Sequence, residues 1–338
     1  MDKFAKTNPA WALVIALVVV AFLWLVLAPW PTELEAAIGR KRVFLNALLG
    51  GITLGALYFL VASGFTLIFG LLRIVNLAHG SLFLLGGYIG YEVTNYTGSW
   101  FLAFPIVFVA VGLVGLAMQR FIFAYMEGEE LRQTLVSIGL SVVLADVMLW
   151  YWGGQSYTTL APGFLRGPME LPLISSINTT SGEAIFIRYP SVRIWILIAA
   201  IVIGVAMWLV LNRTSLGMLI RAGVDDREML AASGVRIQLV FLAVFVFGAG
   251  LAGMAGVVGG TFQSLSPGED TRFLLASLVV VIVGGMGSIV GAAIGALVIG
   301  IAEQMGLVYA PTYSVVFTFL IMAAVLAFRP QGFLGAGR

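Results

Sequence analysis

The chain has 338 residues, 61% of them hydrophobic and only 10% charged, with a formal net charge of +2. Soluble domains carry about 25% charge, so this composition describes a polytopic membrane protein with no soluble part large enough to fold alone. The slight positive balance does not suggest nucleic acid. The absence of cysteine excludes disulfides, thiolate metal sites and cysteine catalysis, and a single histidine, His79, excludes a multi-histidine metal centre.

Lys3 and Lys6 precede an apolar run from about Ala10 to Trp30. That length suits a spanning helix and exceeds the roughly 7–15-residue core of a cleaved signal peptide, so it reads as a retained anchor. A hairpin carrying Glu33, Glu35 and Arg40-Lys41-Arg42 leads to a second run, Phe44–Leu72, longer than a membrane requires. Arg73, Asn76 and His79 then interrupt the apolar pattern before Leu82–Val93 resumes it. Further spans are expected near Trp100–Phe123, Gln133–Trp152, Arg193–Asn212, Gln238–Gly260, Arg272–Gly285, Ile289–Leu307 and Tyr313–Phe328. The expected fold is all-α: a single transmembrane domain over residues 1–338, with about ten membrane segments, some short or broken. Within it, residues 1–42 form an N-terminal helix and hairpin, 153–193 an outer loop with Pro162, Pro168, Pro172 and Pro190, and 213–237 a cytoplasmic loop. Trp11, Trp30, Trp100, Trp150, Trp152, Trp195 and Trp208 fall near the proposed ends, where amphipathic rings favour the headgroup layer.

Ten crossings put both termini on one side with Lys3, Lys6, Arg73, Arg120, Arg132, Arg213, Arg221, Arg227, Arg236, Arg329 and Arg338. That majority of the basic residues marks the side as cytoplasmic. The cluster at Arg40–Arg42 argues the other way for the first hairpin.

The longest charge-dense run between apolar segments is Arg221–Arg236, read as a short amphipathic helix. Asp225, Asp226 and Glu228 sit in its early turns and Gly234 follows it, as helix-terminal N–H and C=O groups favour. Met229, Leu230 and Ala231-Ala232 give it a small apolar face. It is either a docking point for a soluble partner or a solvated link between spans.

Two glycine-rich interruptions, Asn76–Ser81 and Gly284–Ser288, both end in Gly-Ser between closely spaced apolar runs. Broken backbone at membrane depth is tolerated only where protein or a water-filled cavity satisfies it, and paired breaks point toward a pathway. Two tight turns at the interface would explain them equally. His79 could carry a proton or touch substrate; the pattern favours a brace that hydrogen-bonds free backbone groups. Asp146 and Glu303 are the most deeply placed acids, and the cost of burying charge predicts that each faces protein or water. The match to GxGxxG at Gly248–Gly253 lies inside an apolar run rather than a soluble βαβ unit, so helix packing explains it better than a dinucleotide. The same holds for the glycine pairs Gly51/Gly55, Gly86/Gly90 and Gly256/Gly260 and the series Gly287/Gly291/Gly295. No phosphate-binding GxxxxGK[ST] loop and no catalytic constellation is present, so ATP-driven transport would need an ATPase on another chain.

Several blocks together resemble the permease subunits of branched-chain amino-acid ABC importers: Gly51–Tyr58, Ile74–Gly80, Arg221–Asp226 with Met229 and Gly234, Gly284–Ser288 with Gly291, Gly295, Gly300 and Glu303, and Arg329–Gly332. The resemblance runs from about residue 45 to the C-terminus. It implies a non-enzymatic transport subunit of a bacterial inner membrane, moving branched-chain or other small amino acids by alternating access. Implied partners are a second permease, related or identical, two cytoplasmic ATP-binding subunits that hold the ATP and Mg, a periplasmic binding protein that meets the outer loop, and membrane lipid. No cofactor or metal would bind this chain itself. Arg221, Asp225, Asp226, Arg227, Glu228, Met229 and Gly234 would form the coupling helix. Asn76, His79, Ser81, Gly287 and Ser288 would line or support the pathway. Permeases for urea, short amides, aromatic acids or sugars share the architecture, and a stand-alone secondary transporter or channel is the rival class.

Overall fold

The computed structural model describes residues 24–26, 28, 30, 31, 35, 40–72, 75–126, 128–177, 184–225, 229, 230 and 233–335. The first expected span therefore lies largely outside the described residues. The helices in chain order are α1 (Lys41–Leu72), α2 (His79–Thr97), α3 (Trp100–Phe121), α4 (Glu130–Trp152), α5 (Ser191–Arg213), α6 (Ser215–Asp225), α7 (Ile237–Phe262), α8 (Glu269–Gly284), α9 (Ile289–Tyr309) and α10 (Ser314–Phe328). Nine of these coincide with expected segments; α6 is additional. Among the described residues, six helices are long and apolar enough to cross a membrane: α1, α3, α4, α5, α7 and α9. The shorter α2, α8 and α10 do not reach that standard by length and composition.

The residues fall into two compact units, 1–49 with 168–190, and 50–167 with 191–338. In the first, Trp30 stacks at a tilt on Phe44 with ring centroids 5.3 Å apart, and Lys41 Nζ donates to the Ala28 carbonyl at 2.8 Å. The same unit contains the feature that an all-α expectation missed. Strands β1 (Pro168–Ile177) and β2 (Ala184–Pro190) form an antiparallel hairpin within the stretch read as an irregular loop. Prolines obscured it, because they cannot donate to a ladder. They are accommodated where strands tolerate them: Pro168 faces Pro190 at the open end, and Pro172 sits where the register shifts between Leu171 and Ile174.

In the second unit α7 is the hub, packing most extensively on α2 and α3. Of its most apolar window 67% is buried, against 11% for α4 and 17% for α5. Glycine makes the close approaches possible. A Cβ on Gly86 of α2 would run into the backbone of Gly253 on α7, and one on Gly55 of α1 would lie 2.8 Å from the Ala296 carbonyl of α9. Such small-residue contacts replace the hydrophobic driving force that helices lack when their surroundings are as apolar as their side chains. The pairs Gly51/Gly55 and Gly86/Gly90 thus mark real helix crossings, and Gly248–Gly253 lies wholly within α7.

Candidate functional site: two turns, a charged loop and a buried ion cluster

The turn before α2 is tied together by side chains. Asn76 Oδ1 accepts from the Ala78 amide at 3.1 Å, closing a local Asx turn, and the Asn76 carbonyl accepts from the His79 amide at 3.2 Å. The Leu77 amide donates to Ser137 Oγ of α4 at 3.0 Å. His79 is completely buried, and its Nε2 lies 3.0 Å from the Val61 carbonyl of α1. A carbonyl only accepts, so Nε2 carries the proton and Nδ1 is left as an acceptor. The imidazole meets Phe65 edge-on at 5.4 Å, above the space left by Gly64. Ser81 Oγ lies 3.0 Å from Ser141 Oγ and donates to Asp270 Oδ2 at 3.3 Å. These bonds join α1, α2, α4 and α8 at one point.

The second turn, between α8 and α9, is held by backbone. Gly285 and Gly287 have φ of +103° and +81°, a region that L side chains enter only with strain. Ser288 caps α9, its Oγ accepting from the Gly291 amide at 3.0 Å. Residues after α10 return to this turn: the Phe333 and Leu334 amides donate to the Val283 and Gly284 carbonyls at 2.9 and 3.0 Å. Thus Asn76, His79 and Ser81 share one buried knot, while Gly287 and Ser288 belong to another turn, where Gly287 approaches Gly70 of α1.

The charged loop is organised differently from the expected single helix over Arg221–Arg236. Helix α6 starts at Ser215 and ends at Asp225, so Arg221 is in its second half. Thr214 Oγ1 accepts from the Gly217 amide at 3.2 Å, an N-terminal cap at the start of the expected cytoplasmic loop. Leu219 and Ile220 pack against the apolar cluster of Val240, Phe241 and Phe245, which anchors α6 to α7. Arg221 is exposed and its guanidinium bonds the Leu211 carbonyl. Met229 is 70% exposed and Leu230 buried, and Gly234 has φ of +82°. Asp226, Arg227 and Glu228 lie outside the described residues.

Of the two acids singled out from the sequence, Glu303 is buried and paired. Its Oε2 accepts from the Tyr58 hydroxyl at 2.7 Å and its Oε1 meets Arg272 Nη2 at 3.3 Å. Arg272 Nη1 also reaches Glu269 at 3.4 Å, and Gln263 Nε2 donates to that carboxylate at 3.1 Å. Burying a carboxylate without such partners would cost several kcal/mol, of order 3–5. Asp146 instead lies on the exposed face of α4, beside Val142, Val147 and Trp150, with no partner among the described residues. Arg272 was missed as a site residue because the sequence places it merely at the start of a segment; its partners are 31 and 3 residues away. A cavity of about 130 Å³ adjoins this cluster, lined by Tyr58, Arg272 and Glu303 with Leu275, Thr318 and Phe319.

Helices this apolar, packed through glycine and joined by buried polar turns, are those of a multi-pass membrane protein, with no group of side chains that could hold a metal ion among the described residues. The family described as "Branched-chain amino acid transport system / permease component" matches residues 47–326, and the chain belongs to it. It is 28% identical over 307 residues to the high-affinity branched-chain amino acid transport system permease protein BraD of Pseudomonas aeruginosa, covering 86% of this chain and 96% of that protein. It is 27% identical over 308 residues to the high-affinity permease protein LivH of Escherichia coli K12, with the same coverage. The ribose import permease protein RbsC of Haemophilus influenzae is 28% identical over 278 residues, covering 79% and 80%. No solved structure gives a significant match.

Proposed function

We propose that this chain is the permease subunit of an ATP-driven importer that moves branched-chain or other small amino acids across a bacterial inner membrane. The observation that carries this reading is the family match over residues 47–326, joined to full-length similarity to BraD and LivH. The nine apolar helices and the first run, about Ala10 to Trp30, make up about ten segments with both termini cytoplasmic, so that the loop at 213–237 faces the cytoplasm. There Arg221, Asp225, Asp226, Arg227, Glu228, Met229 and Gly234 dock into a separate ATPase, whose ATP-driven closure moves the permease through α6. Two such ATPases, a second permease and a periplasmic binding protein complete the complex. Asn76, His79, Ser81, Gly287 and Ser288 support the pathway by fixing the two turns. A partner shifts a conformational equilibrium only through its differential affinity for the two states, so a firmly anchored α6 is what coupling requires.

Purification from native membranes tests the class: two ATPases and a related permease should co-purify, and the reconstituted complex should take up leucine only with ATP. Uptake at full rate by the chain alone would place it among secondary transporters or channels. Similarity to RbsC favours a sugar as the second reading, and ribose uptake by the same complex would support that instead. Asp225→Arg or Asp226→Arg should cut substrate-stimulated ATP hydrolysis while the permease remains folded. Unchanged coupled hydrolysis in both variants would remove the docking role.

A further inference from the structure

We infer that the outward face of α4 around Asp146 is covered by another membrane chain, the importer's second permease, which sets a basic side chain against that carboxylate. This rests on the importer reading above and assigns its permease–permease contact to one helix and one residue.

Helices α4 and α5 are the two least buried of the six long apolar helices, and their exposed surfaces differ in kind. Residues 194–211 of α5 include no charged, amide or hydroxyl side chain, and Ile201, Val202 and Val205 stand out from it exposed. That is the surface a helix presents to lipid. On α4 the face turned away from the chain carries Asp146. Met148 is buried in the core, and at 3.6 residues per turn a position two residues earlier points to the opposite side. Asp146 is exposed there, with no partner among the described residues. Trp150 and Trp152 suit the headgroup layer, which sets Asp146 about one turn inside it. Acids at such depth face protein or water and are paired; they do not face hydrocarbon.

Gly139, seven residues before Asp146 on the same face, is an independent observation. Cβ atoms added at Gly51, Gly55, Gly86 or Gly256 would strike the backbone of a neighbouring helix, whereas one at Gly139 meets nothing within 4 Å. Gly139 thus offers a close approach to a helix that this chain does not supply.

Charge decides which chain it is. Two copies lying the same way in a membrane meet isologously, with residues of equal depth opposite each other. Asp146 would then face a second Asp146, and juxtaposed like charges are costly. The nearby exposed positions Leu135, Ile138, Val142 and Leu149 bring no cation to relieve that repulsion. The occupant is therefore a different chain, with lysine or arginine at the depth of Asp146.

The chain has no cysteine, so Gly139→Cys on α4 and Val202→Cys on α5 each give one attachment point for a benzophenone maleimide. Irradiated in native membranes, the α4 label should capture the second permease, about seven residues from a lysine or arginine. The α5 label should capture lipid only. Asp146→Lys should lower the second permease retained on purification at least about tenfold, while this chain stays monodisperse in detergent. Replacing the captured base by glutamate should restore retention to Asp146→Lys, a rescue that a folding defect would not show. Adducts of this chain with itself, lipid adducts from both helices, or full retention in Asp146→Lys overturn the inference. So does labelling of Asp146→Cys in the intact complex by a membrane-impermeant thiol reagent, which would place the face on a water-filled path. ATP-driven leucine uptake by the wild-type complex would then leave the importer reading standing, and its absence would remove that reading.

Discussion

The two turns that end in Gly-Ser have the same look in the sequence and are built on opposite principles. The Asn76–Ser81 turn is buried and held by side-chain hydrogen bonds to three neighbouring helices, with His79 filling the space over Gly64. The Gly284–Ser288 turn is held by backbone: positive φ at Gly285 and Gly287, one serine cap, and two amides of the C-terminal segment. A shared composition therefore does not fix a shared mechanism. The first turn should be sensitive both to what its side chains can bond and to a Cβ added at Gly80, the second chiefly to whether a Cβ is present.

The sharpest break of that comparison is Gly80→Val. A Cβ there would strike the Asp270 carbonyl and crowd Leu274 Cβ at 2.8 Å, so the variant should fail to assemble as a monodisperse detergent-solubilised complex. His79→Ala comes next. It removes a fully buried ring together with its bond to Val61 and should lower stability by about 2–4 kcal/mol, read from thermal or denaturant unfolding in detergent. Unimpaired stability would mean that the turn is not braced through this residue. At the second turn Gly285→Ala combines a strained φ with contact to Leu334 and Gly335 and should cost about 2–3 kcal/mol by the same measurement. Gly287→Ala sharpens the point, since its added Cβ meets only Gly70 Cα at 3.5 Å; the backbone term alone should remain, about 1–2 kcal/mol. Ser288→Ala should lose the cap bond and about 1 kcal/mol, the smallest effect of the series.

Helix positions were legible because apolar runs separated by charge and glycine mark segments that partition out of water, whether or not, as in α4 and α5, the protein itself buries them. Ends moved by only a few residues, as at Trp100–Phe121 and Ile237–Phe262. Glycine spacing also carried information, since backbone contact leaves no substitute for hydrogen at positions such as Gly86. What stayed hidden was whatever depends on distant partners. Tyr58 and Glu303 are 245 residues apart, and nothing in local spacing pairs them or brings Arg272 to both. The start of α6 was misplaced for a related reason. The charges of Arg221–Arg236 drew the boundary, whereas the helix is fixed by Thr214 and by the anchoring of Leu219 and Ile220 to α7. The β-hairpin was lost because its three prolines read as irregularity, although two of them close the ladder and one sits at the register shift.

Helix α7 touches its neighbours backbone to backbone on more than one side, Gly248 against Gly64 of α1 and Gly256 against the Phe83 carbonyl of α2, while Gly250 meets the ring and carbonyl of Phe108 on α3. Interlocked main chains have no rotamers to flip and little slack to absorb a push. Such a block is suited to move as a unit, as a spindle does, rather than to bend within itself. A single bulky substitution on the spindle should therefore part α7 from its neighbours without touching a solute.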